Sequence, residues 1–500
     1  MRLLRWLGSG FPGWRTLGLH ALSGAAVALG QAPLSAWYLA LPALVWALSR
    51  IVSAPTTAQA AWAGWFVGAG YFAASLNWIV SPFFVDPWVY GWMAPFAVVL
   101  MAFGLGLFWA AAAGAAAVLP VRNRPLALAA CLGAAEMVRG VVLTGFPWAL
   151  VGHFWHDWPV VQAVALVGAT GLTVLTLAVA VLPLLHRRAG TTALVGMVAL
   201  ATVWGWQREA GPDPDGRMVR LRLVQPNAEQ HLKWDPEQAQ ILFQRQLDLT
   251  RAGTPADLTI WPETSVPYLL EYSPEVGPII SGASGGAKVA IGIQRVEGDR
   301  GWNSLRVIEG AGEVTATYDK FHLVPFGEYM PLGDLMQDWF GIGAFAAQVG
   351  NGYSAGTGPV VLDLGPKLGR VLPLICYEAV FPGIPRGVNT RPDWMLQITN
   401  DAWFGTLTGP FQHFEQSRLR AIEMGLPLLR VGNTGVTAVI DARGNVRDRL
   451  PFGITGSLDV ASIPGALSAT PYALWGDWPA ILALFGLFLL AWGGLGRRKA

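Results

Sequence analysis

The chain has 500 residues, of which 53% are hydrophobic and only 13% charged, against roughly a quarter charged in an ordinary water-soluble domain. That balance excludes a purely soluble enzyme and directs attention to a bilayer. A formal charge of +2 at pH 7, with no broad basic surface to meet phosphates, excludes nucleic acid as a partner.

The apolar residues are unevenly spread along the chain. Residues 1–210 are nearly continuous apolar sequence, 211–465 read as a water-soluble domain, and 466–500 hold a last apolar segment with a basic tail. The expected fold class is therefore a polytopic α-helical membrane domain of about eight spans, joined to an α/β sandwich domain. Candidate spans are residues 17–31, 34–48, 60–80, 92–119, 126–142, 160–185, 191–206 and 479–495. Several are shorter than the roughly 20 residues a perpendicular helix needs. The first two, separated by Gln31, Ala32 and Pro33, have a single re-entrant hairpin as their alternative. The basic N-terminal residues precede an apolar run without a distinct small-residue cleavage site, so the first helix is expected to be retained.

Orientation follows from Lys and Arg, which stay cytoplasmic near span ends. Arg2, Arg5 and Arg15 precede the first span, Arg50 follows the second, Arg122 and Arg124 the fourth, Arg187 and Arg188 the sixth, and Arg497, Arg498 and Lys499 the eighth. The intervening loops, around Pro33, around Asp86 and over residues 144–159, carry no Lys or Arg. Both termini are then expected in the cytoplasm and the soluble domain outside. Within the fifth span Glu136 and Arg139 lie three apart, placed either to neutralise each other or to handle a lipid head group.

From residue 218 the pattern changes to short apolar strands, at 218–224, 257–261, 288–293, 371–375, 394–398, 428–431 and 437–440. Helical stretches at 236–252 and 411–424 and a hairpin over 303–318 complete the alternation expected of a layered α/β fold. Three reactive side chains stand just beyond apolar runs: Glu263 in LTIWPE, Lys320 in YDKFHLVPFGE, and Cys376 in LPLICYE. Taken singly they read as a turn residue, a solvated lysine and a core thiol. Together they match a chemical need, since a thiol nucleophile requires a base to become a thiolate and a cation beside the oxyanion formed on attack. His322 is the rival base. With only two cysteines, Cys131 in an apolar stretch and Cys376 in the soluble part, no disulfide framework is expected.

These three contexts, with NDAWFG at 400–405 and the RAIE and RVGNTG pieces between 418 and 435, resemble the carbon-nitrogen hydrolase (nitrilase) superfamily. The resemblance spans about residues 218–463. With seven spans before it and one after, and with AAEMVRGVVLTGFPW at 134–148, the whole chain resembles the apolipoprotein N-acyltransferases, which complete bacterial lipoprotein maturation. The stretch over 77–87, NWIVSPFFVDP, departs from the aromatic and Phe-Gly-rich stretch that family often carries there.

The resemblance implies Glu263 as general base, Cys376 as nucleophile and Lys320 as the cation near the tetrahedral intermediate. Glu328 and Glu378 would orient Lys320, hold the attacking amine, or only balance the lysine charge. Tyr377 and Asn400 would shape the pocket, and Trp234 would be a substrate-loop aromatic. The implied donor is a membrane phospholipid such as phosphatidylethanolamine, and the implied acceptor is a diacylated apolipoprotein, served by a two-step reaction through a Cys376 thioester at the outer face of a bacterial cytoplasmic membrane. No cofactor or metal is expected. Residues 329–353, apolar but broken by Gly, read as a gate at the lipid interface. The competing functions are a membrane-tethered amidase acting on a small amide, and a transporter or scaffold with a degenerate nitrilase domain.

Overall fold

The computed structural model describes residues 11–233, 235–331 and 352–493. Trp234 and most of the 329–353 segment lie outside the described residues. The chain divides into two compact units: one comprises residues 1–211, 404–415 and 469–500, the other residues 212–403 and 416–468.

The first unit is helical. Each sequence segment read as a span is built on a helix: Trp14–Val27, Trp37–Val52, Thr57–Ser75, Ala94–Val118, Arg124–Arg139, Val164–Ala180, Arg187–Glu209 and Trp478–Trp492. Among the described residues, three helical segments, Pro87–Val118, Pro159–Leu185 and Arg187–Glu209, are long and apolar enough to cross a membrane. Small residues bring the helices together, because packing between apolar helices depends on close backbone approach. A Cβ on Gly64 would meet the Trp109 carbonyl at 2.6 Å, and one on Gly106 the Trp65 carbonyl at 2.9 Å. Glu136 and Arg139, each 1% exposed, form an ion pair inside this unit. Glu136 also accepts from Trp109 Nε1 at 2.7 Å, and Arg139 donates to the Trp148 carbonyl at 2.9 Å. The mutual neutralisation read from their spacing is thus present, extended into a network that ties two helices to the segment after Gly140.

The second unit is built on two six-stranded sheets. The first runs in the order β12 (Gly456–Ile463), β1 (Arg217–Gln225), β2 (Leu258–Ile260), β3 (Lys288–Glu297), β4 (Arg300–Glu309), β5 (Glu313–Asp319). The second runs β11 (Val446–Leu450), β10 (Thr437–Ile440), β9 (Leu428–Gly432), β8 (Trp394–Thr399), β7 (Arg370–Ile375), β6 (Leu362–Asp363). Central strands pair in parallel, β1 with β2 with β3 and β7 with β8 with β9. Such strands are covered on both faces and read as near-continuous apolar runs, which is why they stand out in the sequence. Helices Pro236–Arg251 and Val276–Ala283 cover the first sheet through Phe243, Leu247, Val276 and Ile280, packed with Trp261, Val289 and Ile291. The parallel arrangement matters for chemistry because it collects the strand C-terminal ends, where loops carry reactive groups.

Candidate active site

Each reactive side chain leaves the end of a strand. Glu263 follows β2 through Trp261 and Pro262, and its turn is seated directly on β3. A Cβ added to Gly292 would come within 2.6 Å of Glu263 Cα. Ser265 N–H donates to the Gly292 carbonyl at 2.8 Å, fixing the chain just beyond the carboxylate. Lys320 follows β5, with its main-chain N–H donating to the Asn303 carbonyl of β4 at 2.9 Å. Cys376 follows β7 and opens the short 3₁₀ turn Cys376–Val380. Its φ of +51° lies in the left-handed region, a conformation that non-glycine residues hold only where surrounding structure imposes it.

The three side chains are buried, Glu263 and Cys376 at 5% exposure and Lys320 at 1%. Lys320 Nζ lies 3.4 Å from Glu263 Oε1, and 2.9 and 2.8 Å from the two oxygens of Glu328. Asn303 Nδ2 bridges the carboxylates, donating to Glu263 Oε1 at 2.7 Å and to Glu328 Oε1 at 3.0 Å. The second oxygen of Glu263 accepts the main-chain N–H of Asn400 at 2.8 Å, and that of Glu328 accepts from Val324 N at 2.9 Å. Burial alone would depress the Lys320 pKa, but the carboxylates of Glu328 and Glu263 hold it above the ordinary lysine value. It is a fixed cation. Burial pushes the Cys376 thiol well above its usual pKa and the Glu263 carboxylate adds to this, while Lys320 and a hydrogen bond with Thr399 oppose them. This environment favours the neutral thiol over a preformed thiolate.

The sequence-predicted supporting residues fall into distinct places. Glu328 contacts Lys320 directly, as described above. Glu378, fully buried, makes its hydrogen bonds elsewhere: Ile375 N at 2.7 Å, Phe321 N at 3.0 Å, His322 N at 3.3 Å, and the Tyr318 hydroxyl at 2.9 Å. It knots the chain around Lys320 to the strand end that presents Cys376. Burial pushes its pKa up to about 7, against the N–H donors and the Lys320 charge that pull it down. Asn400 joins Glu263 through its N–H, while its side chain donates to Gln230 at 2.6 Å and accepts from Asn433 at 2.8 Å. Tyr377 packs edge-on against Phe381, with ring centroids 4.9 Å apart. The His322 ring lies 3.9 Å from the Phe381 ring, in an aromatic setting.

Sequence reasoning missed several residues that hold this site. Asn303 lies among other polar residues of β4, beside Ser304 and near Arg306, and carries no local signal that sets it apart. Asp401 and Arg430 form a fully buried ion pair at 2.7 Å. Arg430 also contacts Gln397, whose Nε2 donates to the Cys376 carbonyl at 3.2 Å, so two matched motifs, NDAWFG and RVGNTG, converge beneath the nucleophile. Lys233, also buried, sits against the main chain of Glu263.

Comparison with known proteins bears on the whole chain. Residues 23–182 match a family model of the apolipoprotein N-acyltransferase N-terminal domain, and residues 220–464 match the carbon-nitrogen hydrolase model. An apolipoprotein N-acyltransferase of Bradyrhizobium diazoefficiens is 38% identical, covering 96% of this chain and 95% of its own length. One from Rhodopseudomonas palustris is 35% identical with the same coverage, and one from Caulobacter vibrioides is 39% identical over 85% of this chain and 83% of its own. Among solved structures, an amidase from Nesterenkonia sp. AN1 is similar at 19% identity and a TM-score of 0.37, covering 53% of this chain and 97% of that one. With both halves matched in order and relatives aligned across nearly its full length, the chain belongs to the apolipoprotein N-acyltransferase family and is an acyltransferase.

Proposed function

We propose that the chain moves an acyl group from a membrane phospholipid, phosphatidylethanolamine in the first instance, to the N-terminal amine of a diacylglyceryl-cysteine on an apolipoprotein. The observation that carries this reading is the buried set of a thiol, a carboxylate and a fixed ammonium, in a chain with helices long enough to cross a membrane. Glu263 takes the Cys376 proton as sulfur attacks the ester carbonyl, and the oxyanion develops in the field of Lys320. Collapse expels the lysophospholipid alkoxide, which leaves as the alcohol with the proton from Glu263, and a thioester remains on Cys376. In the second half-reaction the acceptor amine attacks that thioester. Glu263 takes the amine proton, the amide forms, and the proton returns to the departing sulfur.

In this reading Glu328 keeps Lys320 in place, Asn400 orients Glu263, Tyr377 shapes the acyl-side wall, and Trp234 belongs to the substrate loop. The alternation of basic loops supports eight spans, with the catalytic domain of residues 211–465 on the outer face of the cytoplasmic membrane and both termini inside. The test is incubation of the purified chain with acyl-labelled phosphatidylethanolamine. A hydroxylamine-labile label on Cys376 is expected. An enzyme that stays unlabelled but cleaves small amides would be a tethered amidase instead.

A further inference from the structure

Lys233 has no part in the assignments above, yet it lies against the base. Its Nζ donates to the Glu263 carbonyl at 3.1 Å and to Thr264 Oγ1 at 2.8 Å, and the side chain is 7% exposed. Thr264 holds φ at +45°, a conformation costly for a β-branched residue and maintained only when outside contacts hold it. The ammonium therefore grips both ends of the peptide unit on which the Glu263 carboxylate depends for its direction. Both of these acceptors are neutral. The titratable groups whose charge acts on Lys233 are Glu263 and Cys376. A buried cation is costly, and burial pulls the Lys233 pKa down to about 8. Its position beside two groups that carry negative charge in turn during catalysis gives that cost a use.

We infer that Lys233 is a positioning residue: its buried ammonium locks the Glu263–Thr264 turn so that the base faces the thiol, and its charge favours the anion that forms at Cys376. Lys320 contacts the carboxylates from the side-chain end, whereas Lys233 holds the base from the main-chain end. This inference rests on the triad reading above.

The test is single-turnover acylation of the full chain in detergent by labelled phosphatidylethanolamine, comparing wild type with Lys233→Gln, Lys233→Met and Lys233→Arg. The neutral variants are expected to slow acylation by about 100-fold, at undiminished burst amplitude and unchanged half-saturating lipid. Arg, which keeps the charge, should recover most of the rate. The wild-type rate should fall as pH rises through about 8, where the ammonium is lost, and the Arg variant should lack that alkaline limb. Neutral variants acylated at the wild-type rate, a loss confined to amplitude, or an alkaline limb unchanged by Arg would overturn the inference. If wild type itself acquires no thioester, the triad reading fails first, so the two failures are distinguishable.

Discussion

At the scale of single residues, two buried carboxylates of the site, Glu263 and Glu378, differ in what each one faces. Glu263 meets Lys320, Asn303 and the Asn400 N–H, and its charge acts on Cys376, which is the setting the proposed base role needs. Glu263→Gln keeps size but cannot take a proton, so both half-reactions should slow by about 10²–10⁴-fold with the fold intact. Rapid-quench measurement of acylation and of amine transfer checks this; an unimpaired first step would remove Glu263 from the base role. Glu378 faces donors on four residues. Glu378→Gln turns an amide NH₂ toward some of them, leaving buried donors opposed. It should lower the thermal-inactivation temperature and slow both half-reactions together, and a variant of normal stability impaired only in amine transfer would mark Glu378 as an acceptor-binding residue. The sequence placed Glu378 two residues after the nucleophile, but three of its four partners, Tyr318, Phe321 and His322, lie more than fifty residues earlier in the chain, and spacing carries no trace of such contacts.

At the scale of elements, the site depends on strand ends held in register. Gly292 of β3 has no room for a side chain against Pro262 and Glu263. Gly292→Ala must push the base turn outward, and a displacement of about 1 Å costs on the order of 10²-fold in rate. Normal acylation by that variant would show that the turn is not seated as described. The Asp401–Arg430 pair, just beyond β8 and on β9, is fully buried, and breaking such a pair costs about 3–5 kcal/mol because the remaining buried charge loses its counter-charge. Asp401→Asn should therefore unfold at markedly lower temperature by intrinsic fluorescence. The parallel strands were legible because each is a short run dominated by apolar residues. β11 was not, since Val446–Leu450 holds three consecutive charged, exposed residues, Arg447, Asp448 and Arg449, at a sheet edge. Nor was β12, which pairs antiparallel with β1 from some 240 residues away, a contact no local pattern encodes.

At the scale of the whole molecule, the long helices fall in the segments that composition marks as apolar, and the charge cluster draws on the three motif contexts. What sequence could not supply was the second layer, Asn303, Gln397, Arg430 and Lys233, whose residue types are unremarkable until the fold gathers them. The proposed topology rests on the basic loops: reporter fusions at Gly285 and after Ala500 should report opposite compartments, and two cytoplasmic signals would reverse the orientation. Cys131 lies in the helix Arg124–Arg139 of the helical unit and has no role in the proposed mechanism, so Cys131→Ala should retain acylation that Cys376→Ser abolishes. The central claim is that one thioester links two lipid substrates, and the most direct measurement is a chase of the isolated acyl-enzyme. After labelling from phosphatidylethanolamine and removal of excess lipid, addition of a diacylated lipopeptide should move the label into a hydroxylamine-stable amide on the peptide, at a rate dependent on peptide concentration. Release of the label as free fatty acid, unaffected by the peptide, would contradict the account.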